Sequence, residues 1–207
     1  MGARTHDRTD GDAPPSVLVL ACGALARELI DVIRINQFDH MSVACLPAKL
    51  HNRPQEIPAA LKARIDQARP NFDRILVLYG DCGTGGGLDR LLAAEGIERI
   101  PGPHCYEFYA GSDRFADMAD REPGTFYLTD YLARHFDRLI IEGLGLDRHP
   151  ELRDAYFGNY TTVMYLAQTE DAALEEKAQA AAERLGLAYE RHFTGCDGIA
   201  SFLQSSA

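Results

Sequence analysis

Residues 16–33 read SVLVLACGALARELIDVI, and residues 74–92 read RILVLYGDCGTGGGLDRLL. Each opens with a continuous apolar run, reaches Cys-Gly (Cys22-Gly23, Cys82-Gly83) and passes into residues with helical spacing. An uninterrupted run of this kind is the mark of a strand buried on both faces, as in a parallel sheet. Each stretch then leads to a second short strand that ends in cysteine. HMSVACLPAKLHN carries Cys45, and IERIPGPHCYEFYAG carries Cys105. The Cys22–Cys45 and Cys82–Cys105 separations are both 23 residues, and the second pair repeats the first 60 residues on. The pattern predicts a duplicated βαβ unit that aims four thiols at one rim of one sheet.

Working outward, the spacing predicts strands over Val17–Ala21, Ser42–Cys45, Arg74–Tyr79 and Glu98–Ile100. Helices are expected over Ala24–Asn36, Pro58–Ala68, with its opening proline, and Leu88–Glu95, stopped by Gly96. Phe115–Asp120 and Asp130–Phe136 read as helical, while Arg138–Glu142 fits either a strand or a helix end. Thr162–Gln168 is a strand, Asp171–Leu185 an Ala/Glu-rich helix with Gly186 at its C-cap, and Leu187–Phe193 a closing strand before Cys196. This last segment reads as a third, more diverged unit. The expected organisation is a disordered tail over 1–15 and a single α/β domain over 16–207, with repeated units at about 16–58, 74–112 and 160–207. Alternating strands and helices imply mostly parallel sheet with right-handed crossovers, so a site belongs at the strand C-terminal ends.

Composition narrows the function classes. Hydrophobic content of 46% and charged content of 25% describe a globular chain. The longest apolar runs fall well short of the roughly 20 residues a membrane span needs. Met1–Pro15 lacks the apolar core of a signal peptide, so a cytoplasmic location with reduced thiols is expected. Net charge is −10 and no cluster of Lys and Arg interrupts it. That argues against nucleic acid and anionic membrane as partners.

The cysteines therefore carry the chemistry. Cys22, Cys45, Cys82 and Cys105 are candidate thiolate ligands for a [4Fe–4S] cluster, bound by three or four of them, or for a Zn²⁺ ion. Buried core cysteines and a thiol nucleophile are the competing readings. Cys82 has the strongest case for reactivity, because it precedes Gly83-Thr84-Gly85 at a helix start that stabilises anions. That turn is also a candidate cofactor cradle, although it is neither a P-loop nor GxGxxG. His51 and His104 are candidate ligands or acid–base groups near neutral pH. Asp81 could tune a thiol, Glu107 is a carboxylate two residues beyond Cys105, and Tyr79, Tyr106 and Tyr109 are candidates to line a pocket. The segment PGTFYLTDYLARHFD, with Thr125, Asp130 and His135, reads as a capped helix that could fold over the site. Cys196 ranks last among the cysteines, since its unit lacks the matching first thiol.

The set ACGAL, CLPAKLHN, YGDCGTGG, GPHCYEFYAG, EPGTFYLTDYLARHF and YLAQTED resembles an uncharacterised domain-of-unknown-function family over about residues 16–204. Members of that family are often encoded near trimethylamine-methyltransferase-like proteins and their corrinoid partners. The resemblance implies a supporting role in corrinoid-dependent demethylation of methylamines or betaines, with a corrinoid protein or methyltransferase as partner. It supplies no reaction, and it matches Cys22, Cys45, His51, Cys82, His104 and Cys105. In architecture alone, the arrangement is similar to quinolinate synthase and the diphthamide enzymes, where repeated α/β units each give one cysteine to a central [4Fe–4S] cluster. The leading expectation is thus a cysteine-ligated iron–sulfur protein with a redox or accessory role. A zinc–thiolate protein supporting methyl or thiol transfer, a metal-free binding module and a metal-free thiol enzyme stand as alternatives, with a small-molecule substrate left open.

Overall fold

In the computed structural model, which describes residues 14–206, the two stretches quoted above lie side by side as neighbouring strands. The first βαβ unit is β1 (Val17–Cys22), α1 (Ala26–Ile35) and β2 (Met41–Leu46). Helix α2 (Ile57–Ala68) returns the chain to the second unit: β3 (Arg74–Leu78), α3 (Gly87–Glu95) and the short β4 (Glu98–Arg99). The four strands form a parallel sheet in the order β2-β1-β3-β4. The two units therefore run away from each other, and β1 and β3 meet at the seam.

The continuous apolar runs are explained by cover on both faces. Val17, Val19, Ala21, Leu76 and Leu78 face α1, where Leu25, Leu29 and Val32 pack against them. Leu18, Leu20, Ile75 and Val77 face the other way, onto Ile57, Leu61 and Ile65 of α2 and Leu88 and Leu92 of α3. Burying side chains of this size gives about 1.5–3 kcal/mol each.

Beyond β4 come α4 (Glu107–Ala110) and α5 (Ser112–Arg121). A second parallel sheet then forms from β5 (Thr125–Thr129), β6 (Thr162–Ala167) and β7 (Ala188–Phe193), in sequence order. Between β5 and β6 lie α6 (Asp130–Arg134), a π-helical turn at Asp137–Ile141 and α7 (Arg153–Phe157). Helix α8 (Ala172–Leu185) links β6 to β7. Asp171 caps its start by accepting from the Ala173 and Leu174 amides at 3.0 and 3.3 Å, and left-handed Gly186 ends it. This sheet has its own core, built on Leu128, Val163, Tyr165, Leu174 and Ala178. Helix α9 (Asp197–Ser205) does not stay with it. Ile199 and Leu203 are fully buried in the core of the first sheet, beside α1 and α4.

The α/β class and the parallel pairing match the sequence expectation, and the segment after residue 160 runs strand–helix–strand as β6-α8-β7. Strand β5 is a finding the sequence reading lacked. The Arg138–Glu142 ambiguity resolves into a helical turn of the π type rather than a strand. The tail expected over 1–15 lies, as far as residue 13, outside the described residues. Among those that are described, no helix is long and apolar enough to cross a membrane.

Candidate thiolate site

The site begins at the seam between β1 and β3, where the strand order reverses and a crevice opens beyond the carboxyl ends. Cys22 is the last residue of β1. Past β3, the chain runs through Tyr79 and Gly80 to Cys82. A β-carbon at Gly80 would stand 3.0 Å from the Pro103 carbonyl oxygen and 3.1 Å from the His104 Cα. Only glycine therefore admits the loop after β4 against the end of β3. The Cys82 amide donates to the Pro103 carbonyl at 3.0 Å and fixes that approach. Cys105 is brought beside Cys82 by these two contacts.

Cys82 itself has φ +49, in the left-handed region that a side chain rarely adopts. The turn behind it is held by Asp81, whose carboxylate accepts from the Thr84 hydroxyl, the Gly85 amide at 3.2 Å and the Gly86 amide at 2.9 Å. Thr84 Oγ1 in turn accepts from the Leu88 amide at 3.2 Å and closes the start of α3. The Thr84, Gly85 and Gly86 amides are thus engaged by the turn's own aspartate. Strain of this kind, about 1–3 kcal/mol, persists only where the surroundings over-determine the backbone.

Cys22, Cys82 and Cys105 line one cavity of ≈ 190 Å³. His51 and Lys49 stand at its mouth, on the short helix after β2. Tyr79, Tyr106 and Tyr109 form walls, as anticipated, and the second sheet supplies the cover: Phe126 from β5, Leu132 from α6, Leu139 and Ile140 from the π-helical turn. Such turns recur at functional sites because they re-aim side chains out of the helical register.

Electrostatics singles out one thiol. Cys105 and, after it, His51 pull the Cys82 thiol down to about 5 against the opposing effect of its burial. Cys105 is pushed well above the usual thiol range by Cys82 beside it, with its burial adding to the shift. His51 is raised chiefly by Cys82. It is solvent-exposed, so water screens part of that pairing. Burial raises Cys22, and burial raises Tyr79, whose hydroxyl lies against the Cys22 sulfur with no well-formed hydrogen bond of its own. Of the three thiols on the cavity, Cys82 alone is pulled toward its anion, while Cys22 and Cys105 are pushed the other way. A second anion would lack the donors that stabilise the first.

The remaining candidates fall outside the cavity. Cys45 pairs in register with Ala21, one step back from Cys22. Alternation along the strand sends its side chain to the α1 face, where it packs with Val43 against the core. His104 is exposed on the loop and reaches Cys82 only through its charge. Glu107 is buried, and its carboxylate accepts from the His104 amide at 3.3 Å, bracing the loop that carries Cys105. Cys196 lies at the end of the second sheet. Sequence reasoning missed Lys49 and the apolar cover of Leu132, Leu139 and Ile140, which carry no local motif. The stretch read as able to fold over the site ends at Asp137, so it holds Phe126 and Leu132 but not Leu139 or Ile140.

Three thiols and an imidazole around one cavity suit a soft metal in donor chemistry. In position, no three His, Cys, Asp or Glu side chains among the described residues are gathered closely enough to hold a metal ion.

The family model described as "Protein of unknown function (DUF1638)" matches residues 45–203. No curated protein and no solved structure matches the chain. With most of its length covered, the chain belongs to that family.

Proposed function

We propose that this DUF1638 protein acts through the Cys82 thiolate, as a nucleophile toward a small, largely apolar electrophile held in the aromatic-walled cavity. The observation that carries this reading is the meeting of Cys22, Cys82 and Cys105 on one aromatic-walled cavity, with Cys82 set by a left-handed, Asp81-braced turn and pulled down where its two neighbours are pushed up. In the step, the Cys82 sulfur forms a bond to an electrophilic carbon while the bond from that carbon to its leaving group breaks. The leaving group departs with the electron pair, and the raised His51 imidazolium at the mouth supplies its proton. The strained backbone and the glycine-tight loop hold the sulfur in place, and the apolar cover limits competing water. The test is alkylation by iodoacetamide, read by intact mass and peptide mapping across pH. Cys82 should label first, with a rate midpoint near 5 in place of the free-thiol value of about 8.5. A midpoint above 8, or preferential labelling of another cysteine, overturns the proposal.

A second reading is favoured by the shared cavity itself. Cys22, Cys82 and Cys105 could hold a [4Fe–4S] cluster by three thiolates, or with His51 a zinc ion, once the side chains draw together. Either would supply Lewis-acid or redox chemistry when bound. Metal and sulfide analysis after anaerobic purification separates the cases: iron with sulfide supports the cluster, one zinc per chain supports zinc, and neither supports the metal-free thiolate. An accessory place in corrinoid-dependent demethylation, with a corrinoid protein or methyltransferase as partner, rests on the family resemblance alone and is the setting expected for this chemistry.

A further inference from the structure

The second sheet has a strand-end crevice of its own, independent of the thiolate cavity and of the reading given to it. Asp130 closes β5, Gln168 and Thr169 close β6, and Cys196 follows β7, with Glu28 of α1 facing them from the first unit. Asp130 is 1% exposed and fully engaged. It accepts from the Tyr165 hydroxyl at 2.8 Å, the Gln168 amide at 3.0 Å and the Thr169 hydroxyl at 2.6 Å, while its own amide donates to Gln168 Oε1 at 2.7 Å. This network fixes a carboxylate at the floor.

Glu28 is different. It is 4% exposed, it lines the crevice, and its Oε2 is buried with no hydrogen-bond partner. An unmet buried carboxyl oxygen is costly, and a helix surface offers many positions where a glutamate would escape that cost. Arg27, beside Glu28 on α1, and Arg134 of α6 also line the crevice, and neither forms an ion pair among the described residues. Burial and the neighbouring Asp130 raise the Glu28 carboxyl. Cys196 is pushed up to about 12 by burial and then by Glu28 and Asp130, so it is a thiol here and not a second nucleophile.

A ligand that answers all three groups has N–H donors for Glu28 and a carboxylate for the two arginines. We propose that this crevice binds a small zwitterion with a primary ammonium group, of the free α-amino acid class.

Titration calorimetry on the full chain would use glycine, L-alanine and L-glutamate as probes. Propylamine, propionate and trimethylglycine serve as controls that lack, in turn, the carboxylate, the ammonium and the N–H. The expected result is saturable binding of at least one amino acid, at least tenfold tighter than any control. Glu28→Gln keeps the shape and places an amide where the ammonium should sit, so it should weaken binding tenfold or more. Arg134→Ala, on a half-exposed side chain, should weaken it by a similar factor, and circular dichroism and melting confirm that both variants are folded. No saturable binding of any probe, equal binding of trimethylglycine, or binding unchanged in folded Glu28→Gln would overturn the assignment.

Discussion

Cys82 joins a left-handed backbone to a thiol pulled below the usual range, and each depends on a different neighbour. The thiolate depends first on Cys105, so Cys105→Ala should raise the alkylation midpoint of Cys82 by roughly 1–2 units, at about 1.4 kcal/mol per unit. His51→Gln should raise it by less, because His51 comes after Cys105 and is screened by water. The reverse order in the two pH profiles would count against the assignment of roles. Stability follows the same group. A depressed folded value means that the Cys82 contribution is complete only above its unfolded value near 8.5, and is lost as pH falls toward about 5. His51, raised in the fold, works in the opposite sense: its contribution is present below about 6.5 and fades as pH climbs through its folded value. Urea titrations of Cys82→Ala against the parent should therefore show a flatter rise of stability in the variant between about pH 5 and 6.5, below the range in which His51 opposes it. Cys82 was legible in sequence, because a cysteine before a glycine-rich helix start has few bland uses. The standing of Cys45 was not, since a one-residue step in register decides the face a side chain takes and leaves no trace in spacing.

Among elements, the loop after β4 and the helix after it decide whether Cys105 meets Cys82. Gly80 admits the loop from one side. From the other, α4 is pressed by α9, where a β-carbon on Gly198 would stand within 2.2 Å of the Phe108 carbonyl oxygen. Gly198→Ala must therefore push α9 off α4, costing about 1–3 kcal/mol. Gly80→Ala should cost a similar amount and in addition raise the Cys82 midpoint, because it moves the Pro103–His104 backbone that carries Cys105. Denaturant unfolding and the alkylation profile measure the two effects separately, and an unchanged midpoint in a folded Gly80→Ala protein would count against the loop's role. The strong elements were readable because their signals are local: buried apolar runs for β1, β3 and β6, and a capped alanine-rich stretch for α8. Strand β5 was not. Its five residues, TFYLT, lie between helices, and its pairing with β6 spans a long insertion that no short window sees. Helix α9 was missed for the related reason that its apolar face is matched by a distant sheet.

For the whole molecule, two parallel sheets with separate cores are tied together by the way the chain doubles back. The cavity needs both, since its thiols come from the first sheet and its cover from the second. The tie at the far end is α9, whose Leu203 is fully buried against the first core. Leu203→Ala should cost about 2–5 kcal/mol, read by urea unfolding, and should weaken the first sheet even though residue 203 is distant from it in sequence. The fold class was visible at this scale from strand–helix alternation. The return of α9 was not. That return also sets an order of events during synthesis. The strands of the first sheet have all been made by Arg99, but the core under α1 and α4 stays unroofed until Leu203 has emerged. Through that interval the nascent chain carries a half-built apolar face and thiols open to oxidants, a window in which a chaperone or a thiol reductant has the most to protect.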